Sequence, residues 1–294
     1  MSPSQAQTTI TNASTALVDY CQQWGLYTTI TGVSGGLDSA VVLALSMKAT
    51  ELAKKRGFEL KTLGLILPCH SDPEHTRLGK KVIQTFGAEL LEIDLTNIFD
   101  VIQKNVLEPV SGTLSAFYPH NPYNPHVPHH HTALGNLKAR LRMALGTYYV
   151  ANVVNGLVLS TDNLSEYLMG FWTLHGDVGD FGMIQNLWKG DEIPMIAKVL
   201  GIPNEVIDAV PTDGLGVHPG GDEAQMGAPY SVVDSVLKQA MEEGIDLDGS
   251  LDQLSKLPKI LGVTETTVRK ILERSLKNSF KRRHPKNLSR KILV

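Results

Sequence analysis

The sequence predicts an α/β fold in which a doubly wound parallel sheet is flanked by helices and followed by a helical C-terminal part. Three observations predict it. Short apolar strand patterns alternate with helical patterns, a glycine-rich turn joins the first strand directly to a helix, and only helical patterns follow Ser231. Strands that alternate with helices form a parallel sheet, and such sheets bind their ligands at the carboxyl ends of the strands.

The composition is that of an ordinary globular chain with enough apolar residues for a core. The 294 residues are 42% hydrophobic and 19% charged, so one large or two modest domains are expected. We predict a single domain over 1–294, with an N-terminal helix at 1–25 and the helical part at 231–294. The net charge of −3 gives no indication of binding to nucleic acid or to an anionic membrane.

The cysteines and the N-terminus predict a cytoplasmic location. Cys21 and Cys69 form neither a C-x-x-C pair nor a zinc pattern, which is typical of a reducing compartment. Residues 1–10 lack the basic and apolar regions of a signal peptide. The longest apolar runs are too short for a membrane span, so we expect no membrane partner.

Hydrophobic periodicity and turn residues predict the elements of the first half. A helix from about residue 6 to 25 presents apolar side chains on one side, namely Ile10, Ala13, Leu17, Cys21 and Trp24. The apolar run 26–33 is the first strand, and the helix after its turn continues to Arg56. The next predicted elements are a strand at 60–67 that Pro68 ends, a helix at 73–86, a strand at 88–95 and a helix at 97–107.

The second half continues the alternation and then becomes helical. A helix at 133–155 precedes a short buried strand at 157–160, and Asn163 opens another helix. The predicted C-terminal helices lie near 231–243, 247–256 and 264–279.

A segment rich in histidine and proline, 118–131, lies within the long loop 111–132. Its histidines could bind Zn²⁺ or Ni²⁺. However, a proline at every third position favours an extended backbone, and no cysteine or acidic residue is interleaved. We predict a surface loop or dimer-edge loop and keep the metal site as the alternative.

The most informative stretch is the turn between the first strand and its helix. Strand, glycine turn and helix N-terminus form an anion site, because the first helical N–H groups lack partners and the helix dipole favours negative charge. Gly35 and Gly36 are expected to take positive φ and to let a phosphate approach the backbone. The residues predicted to bind the phosphates are Gly32, Val33, Ser34, Gly35, Gly36, Leu37, Asp38 and Ser39.

This turn differs from the kinase-type phosphate loop, which needs a lysine at its end. Asp38 stands there instead, and a carboxylate beside phosphates implies a bridging Mg²⁺ ion. The run Ser-Gly-Gly-x-Asp-Ser resembles the pyrophosphatase loop of enzymes that cleave ATP between its α- and β-phosphates and adenylate a substrate. The alternative is a plain glycine turn whose Asp38 faces the helix dipole.

A second polar turn, Thr161-Asp162-Asn163, follows a strand and precedes a helix. It therefore lies at the same sheet edge as the glycine turn. Asn163 and Glu166 have the spacing of a capping box, which is a sufficient structural reason for both residues. The other interpretation places Glu166 beside Asp38 as the second carboxylate of a Mg²⁺ site.

The helix at 133–155 carries a basic segment with two interpretations. Asn136 and Arg140 are four residues apart and share a helix face. Lys138, Arg140 and Arg142 could form a solvated basic face. Alternatively, Arg140 could bind a substrate phosphate or carboxylate, since a guanidinium binds two oxygens at once.

Several further blocks, taken in order with the glycine turn, resemble NAD synthetase of the ammonia-dependent type, which has an adenine nucleotide alpha-hydrolase-like fold. The blocks are 135–143, 159–166, 170–173, 176–177, 187–189, 211–213, 222–227 and 281–282. The resemblance implies Mg²⁺ ligands at Asp38 and Glu166 and ATP contacts at Thr161, Lys189 and Thr212. It also implies substrate contacts, at Arg140, Asp177, Asp180 and Lys281. For Asp177 and Asp180, ordinary turn chemistry is the alternative.

The resemblance implies a ligase in which the carboxylate of deamido-NAD attacks the α-phosphate of ATP and ammonia then displaces AMP. It implies a homodimer with the dinucleotide site near the subunit boundary. The matched blocks fill the 294 residues, so we expect free ammonia or a separate glutaminase as the nitrogen source.

Three positions depart from the family pattern on the dinucleotide side. Leu174 replaces a lysine, Phe280 replaces a histidine, and the turn 176–182 is one residue shorter. The same chemistry on another small carboxylate is therefore an alternative. Further alternatives are a tRNA-modifying enzyme, against which the lack of a C-x-x-C pair and of a basic surface argues, and a non-catalytic nucleotide-binding module.

Two other segments carry predictions. Residues 210–227 contain many glycines and no helical period, which favours a lid over bound ATP, with a plain surface loop as the alternative. The basic run 281–286 is expected to be a solvated tail or a phosphate contact.

Overall fold

A computed structural model describes residues 1–107, 109, 128–212, 214–215 and 221–283, with residues 128–130 described by their backbone. The helices are, in chain order, α1 (Pro3–Trp24), α2 (Leu37–Lys55), α3 (Pro73–Phe86), α4 (Thr96–Ile102), α5 (Pro128–Leu141), α6 (Tyr149–Val153), α7 (Leu164–Met169), α8 (Glu192–Leu200), α9 (Asn204–Ile207), α10 (Gly221–Met226), α11 (Tyr230–Glu242) and α12 (Glu265–Lys277). The strands are β1 (Thr28–Gly32), β2 (Lys61–Ile66), β3 (Glu89–Glu92), β4 (Gly156–Ser160) and β5 (Phe181–Gly182).

The strands form one parallel sheet in the order β3-β2-β1-β4-β5. Thr28 of β1 is in register with Lys61 of β2 on one side and with Gly156 of β4 on the other. The chain runs outward in one direction from β1 to β3 and in the other from β4 to β5. The order therefore reverses between β1 and β4, which is where such sheets bind their ligands. The predicted doubly wound parallel sheet is confirmed.

Two apolar clusters pack on the sheet. One joins α1, α2 and α8 through buried residues such as Leu17, Leu45 and Ile196. The other contains Ile30 and Leu65 with the helical residues Val150 and Ala151. Residues 28–31 of β1 are buried, so packing holds the strand in place at the start of the turn that follows it.

The C-terminal helices have a core of their own next to α7. Val233 and Leu237 of α11 pack against Ile271 and Leu272 of α12, and Met169 of α7 belongs to the same cluster. The helical C-terminal part is thus confirmed for the described residues, and it lies directly against a helix of the ligand-binding edge.

Most elements agree with the sequence prediction, and the differences have local causes. Trp24 is 61% exposed although the helical pattern placed it on the apolar side. The helix predicted at 133–155 contains a π-helical stretch, Arg142–Tyr148. The helix predicted at 247–256 is reduced to a 3-10 turn, Leu251–Ser255, because Asp246 closes a turn through the backbone N–H groups of 248 and 249.

Four elements, β5, α8, α9 and α10, are not among those that the sequence predicts. The two residues of β5 are too few to show any periodicity. Among the described residues, no helix combines the length and the apolar character that crossing a bilayer requires.

Candidate active site

The glycine turn occupies the carboxyl end of β1, at the position where the strand order reverses. Gly35 has φ of +90°, which an L side chain rarely adopts, and a Cβ there would lie 2.3 Å from the His75 carbonyl oxygen. Gly36 has φ of −86° and is the extended residue before α2, so the expectation of positive φ at Gly36 is wrong. One glycine makes the left-handed turn, and the other leads into the helix.

Hydroxyl groups tie this turn together. The side-chain oxygens of Ser34 and Ser39 are 3.1 Å apart, and the Ser39 hydroxyl lies 3.1 Å from the Gly36 carbonyl oxygen, to which it donates. No described side chain caps the first turn of α2, so its first N–H groups have no side-chain acceptor. The residues that carry them, 36–39, line the cavity. This is the arrangement that binds a phosphate at a helix N-terminus.

Helix α3 approaches the turn so closely that Gly79 is needed there. A Cβ at Gly79 would lie 2.8 Å from the Val33 carbonyl oxygen and 3.4 Å from the Gly35 nitrogen. We expect Gly79→Ala to displace the turn and to lower kcat/KM for ATP by about 10²-fold, although alanine favours a helix. Steady-state kinetics with varied ATP measure the loss. Thr85→Ala, an exposed site on the same helix, should behave like the wild type, and normal kinetics for Gly79→Ala would contradict the argument.

The second polar turn follows β4 and lies beside the first. The Asn163 side chain caps α7 by accepting from the Glu166 N–H at 3.1 Å, and its amide also donates to Asp38 at 3.4 Å. Asn163 therefore connects the carboxyl ends of β1 and β4. The predicted capping box is confirmed, and it positions Glu166 at the same sheet edge as Asp38.

The charges of both carboxylates act on Lys189, and its ammonium group forms an ion pair with Asp38. The lysine is almost fully buried, and its Nζ is 5.6 Å from the centre of the Tyr230 ring. Burial acts to lower the pKa of Lys189, but the carboxylates of Asp38 and Glu166 outweigh it and hold this pKa above its usual value. Lys189 is thus a fixed cation at the mouth of the phosphate-binding turn.

Glu166 has both a structural contact and a place in the cavity. One carboxylate oxygen accepts from the Tyr230 hydroxyl at 2.8 Å, and the other lies 3.4 Å from the Asn163 nitrogen. Burial, and secondly the charge of Asp38, raise the pKa of Glu166 well above its usual value. A nearby cation would favour the charged form.

The cavity at this edge measures about 290 Å³ and is lined by most of the residues that the sequence predicted. Those residues are Gly32, Val33, Ser34, Gly36, Leu37, Asp38, Ser39, Thr161, Glu166, Asp177, Lys189 and Thr212. They come from the ends of β1 and β4 and from the segments after them. The tertiary structure therefore brings the predicted ATP and metal residues to one place, with Gly35 of the turn outside this lining.

Three predicted substrate residues lie outside the described lining of this cavity. Arg140 is exposed and donates to the Leu174 carbonyl at 3.2 Å, while Asp180 accepts from the Tyr148 hydroxyl at 2.5 Å. The ammonium group of Lys281 donates to the carbonyls of Gly170 and Trp172, at 2.7 and 2.6 Å. Their substrate roles remain predictions.

Asn136 and Arg140, which share a helix face, both bind the segment at 173–174. Asn136 accepts from the Thr173 hydroxyl at 2.7 Å, and Arg140 holds the next residue, Leu174. Asp177 closes the same turn by accepting from the Thr173 N–H at 3.0 Å. These contacts fix the turn whose end reaches the cavity.

Four residues of the site were given no role on the sequence. Arg142, considered above as part of a solvated face, lines the cavity and donates to the Leu67 carbonyl and the Ser71 hydroxyl, both at 3.0 Å. Asp162 and Asp222 also line it, and Tyr230 holds Glu166. The sequence does carry a signal for Asp162, because an aspartate there closely follows a predicted buried strand. No local pattern indicates Tyr230.

The lid and tail predictions are partly corrected. Residues 213 and 216–220 of the proposed lid lie outside the described residues, and 221–226 form α10 despite the lack of a helical period. The tail is not solvated at Arg282, which is buried and donates to Asp248 at 2.7 Å. Residues 284–286 lie outside the described residues, as does the histidine- and proline-rich segment up to residue 127, while α5 begins at Pro128.

The carboxylates fit a Mg²⁺ ion that arrives with a nucleotide. Within the described ranges no three His, Cys, Asp or Glu side chains are grouped closely enough to hold a metal by themselves. Mg²⁺ in phosphoryl enzymes takes only one or two carboxylates and completes its shell with phosphate oxygens and water. The charge of Asp38 acts on Glu166, and these two carboxylates would be such a pair.

Comparison with known proteins shows which family this chain is similar to. The NAD synthase family model matches residues 9–285. The NH(3)-dependent NAD(+) synthetase of Thermoplasma volcanium is 32% identical over 262 residues, 88% of this chain and 89% of that protein. That of Pyrococcus furiosus is 31% identical over 273 residues, 92% and 91% of the two chains.

Solved structures show the same fold. The NMN synthetase of Francisella tularensis has a TM-score of 0.68 at 24% identity and covers 98% of both chains. The NH3-dependent NAD synthetase of Campylobacter jejuni gives 0.67 at 23%, over 98% of this chain and 100% of that chain. The glutamine-dependent enzyme of Acinetobacter baumannii matches 97% of this chain over 47% of its own length, with a TM-score of 0.57 at 23% identity. The chain belongs to the NAD synthase family.

Proposed function

We propose that this chain is an ammonia-dependent NAD synthetase that adenylates the carboxylate of deamido-NAD with ATP and converts it to the amide. The observation that carries the proposal is the meeting of Asp38, Glu166 and Lys189 at the point where the strand order reverses. Two carboxylates and one buried ammonium group beside an open helix N-terminus match a metal-bound polyphosphate. Family membership supports the choice of acceptor.

In the first step an oxygen of the acceptor carboxylate attacks the α-phosphorus of ATP, and the bond from this phosphorus to the bridging oxygen breaks. Pyrophosphate leaves with that electron pair. The turn at 34–39 would bind the phosphates through its N–H groups, with Thr161 and Thr212 at the cavity wall. Lys189 would neutralise charge that develops on the leaving group. A Mg²⁺ ion on Asp38 and Glu166 would supply further charge neutralisation.

In the second step ammonia attacks the acyl carbon, and the bond from this carbon to the AMP oxygen breaks, so that AMP leaves with the electron pair. The added nitrogen then loses a proton to solvent. The described site holds no residue to which we assign the role of general base, and neutral ammonia needs none for the attack. The walls of the site would exclude water, because water would otherwise hydrolyse the acyl-adenylate. Free ammonia, or ammonia from a separate glutaminase, is the proposed nitrogen source.

The test mixes the protein with ATP, Mg²⁺, deamido-NAD and ammonium chloride and follows pyrophosphate, AMP and NAD. Equal amounts of the three products are expected, and omission of Mg²⁺ should stop the reaction. Formation of ADP instead of AMP would contradict the proposed chemistry. The same assay without deamido-NAD measures background cleavage of ATP.

A second candidate keeps this chemistry but changes the acceptor. Leu174 provides no cation, and two backbone carbonyls already occupy donors of the Lys281 ammonium group. Fewer cationic donors are therefore left for the second half of a dinucleotide. Nicotinate mononucleotide is the corresponding smaller acceptor. Comparing kcat/KM for the two acceptors decides, and a higher value for the mononucleotide would replace deamido-NAD in the proposal. The family match gives no support to tRNA modification.

We also propose a homodimer formed by the exposed apolar residues of the π-helical stretch and α6. Leu145, Tyr149 and Val153 succeed one another at four-residue spacing and are 42%, 66% and 68% exposed. Such a stripe on one helix side marks an interface. We place the protein, as one domain, in the cytoplasm, which the two buried free thiols support.

The dimer proposal predicts that Tyr149→Glu yields a monomer, because a charge on the stripe would have to be desolvated at the interface. Sedimentation velocity should give twice the chain mass for the wild type and the single-chain mass for the variant. Leu261→Glu is the control, since Leu261 is fully exposed and outside the stripe. A wild-type protein that sediments as a monomer would exclude the interface.

A further inference from the structure

One buried carboxylate outside the cavity lining is bound to the segments that carry the site. Asp234 lies on α11 and is only 3% exposed. One of its oxygens accepts from the Ser165 hydroxyl at 2.5 Å, and the other accepts from the Gly190 N–H at 2.8 Å. A buried carboxylate is costly unless it is fully hydrogen-bonded, and here each oxygen has a partner.

The two partners are the chain neighbours of two site residues. Ser165 precedes Glu166, and Gly190 follows Lys189. The Ser165 oxygen also accepts from the backbone N–H of Lys189, at 3.1 Å. Asp234 and Ser165 therefore hold the start of α7 and the backbone at 189–190 in one hydrogen-bonded unit.

We infer that Asp234 is a positioning residue, which sets the place of the Lys189 ammonium group relative to Asp38 and Glu166 from the C-terminal helical part. This inference rests on the proposed adenylation for its effect on rate. Asp234 itself is not part of the cavity lining among the described residues, so it acts through Lys189.

The packing at Gly190 supports this role. A Cβ there would lie 2.7 Å from the Asp234 carboxylate oxygen and 3.3 Å from the Ser231 Cα. The backbone at 190 is thus pressed against α11, and the carboxylate replaces water as its acceptor. Burial raises the pKa of Asp234 while the bonds from Ser165 and Gly190 act against it, which agrees with a carboxylate held for these two contacts.

The kinetic test uses Asp234→Ala, the conservative variant Asp234→Asn, and Ser235→Ala as the control on the same helix. Ser235 is exposed, and its hydroxyl donates within the helix, to the Ser231 carbonyl. We expect Asp234→Ala to lower kcat by about 30-fold with KM for ATP within about threefold, because the displaced cation acts on the transition state. Asp234→Asn should recover part of the rate, because an amide can replace one of the two acceptors. A changed KM with unchanged kcat would overturn the inference.

A double-variant cycle separates positioning from general damage. If Asp234 acts through Lys189, Asp234→Ala should cost less than about twofold in a Lys189→Met background. The same loss in both backgrounds would overturn the inference. Should Asp234→Ala fail to fold, Ser165→Ala removes the bridging hydroxyl and is judged by the same cycle.

A third measurement does not depend on the reaction. Hydrogen exchange of the Lys189 and Gly190 amides, without substrates, should be faster by about tenfold in Asp234→Ala and unchanged in Ser235→Ala. Unchanged exchange at both amides would refute the positioning role. If the wild type makes no amide from either acceptor, the proposed function fails, and this exchange experiment still decides the role of Asp234.

Discussion

Lys189→Met is expected to lower the rate of pyrophosphate release by about 10²–10³-fold at saturating ATP. The ammonium group is buried against Asp38 in the cavity, where water cannot replace it when charge builds up on the leaving pyrophosphate. Methionine keeps the length and the apolar part of the side chain, so the loss reports the charge. Initial rates of pyrophosphate formation from ATP, deamido-NAD and ammonia measure it.

The matched control is Lys238→Met. Lys238 is partly exposed, pairs with Asp191 at 3.3 Å and lies over the Trp188 ring, outside the described cavity lining. The rate of this variant should stay close to that of the wild type. A Lys189→Met enzyme that keeps more than a third of the wild-type rate would remove Lys189 from the catalytic site.

Glu166→Gln is expected to reduce turnover by about 10²-fold and to raise the Mg²⁺ concentration required for half-maximal activity. An amide has the shape of the carboxylate and can still meet Tyr230 and Asn163, but it lacks the charge for the metal. Asp38→Asn should act in the same direction, because Asp38 is the other proposed ligand. Titration of activity with Mg²⁺ measures the effect, and normal Mg²⁺ dependence in either variant would exclude that residue as a ligand.

Glu166→Gln should also be more stable than the wild type at neutral pH in the absence of Mg²⁺. The pKa of Glu166 is higher in the folded protein than its value of about 4.3 in an unfolded chain. The unfolded chain therefore loses this proton first, and the wild type loses stability as pH rises above that value, until the folded group has also ionised. Glutamine removes this cost.

Thermal unfolding of the two proteins, metal-free, checks this sign. The melting temperature of Glu166→Gln should exceed that of the wild type by a few degrees at pH 8, and the difference should disappear below about pH 4. A wild type that is the more stable protein at pH 8 would show that Lys189 compensates the Glu166 charge fully.

Local sequence is sufficient to predict the structure of a segment where a short pattern allows only one conformation. The strand, glycine turn and helix around Gly35 and Asp38 lie within ten residues, and backbone sterics and unpaired N–H groups determine that unit. The capping box of Asn163 and Glu166 is equally local, and both interpretations of Glu166 agree with its position at the cavity. Parallel strands place their carboxyl ends together, so the common edge of the two turns was also predictable.

Only the tertiary structure decided what surrounds these residues. Lys189 is 151 positions from Asp38, and Tyr230 is 64 positions from Glu166. Each is a single side chain without a repeating pattern, so no local property indicates its partner. The contacts of Arg142, Asp234 and Lys281 are likewise distant in sequence. The sequence by itself determined the sheet and the phosphate-binding turn, because hydrophobic period and backbone conformation act over a few residues. The charge balance of the site was decided by packing, because burial and opposite charges act between segments that only folding brings together.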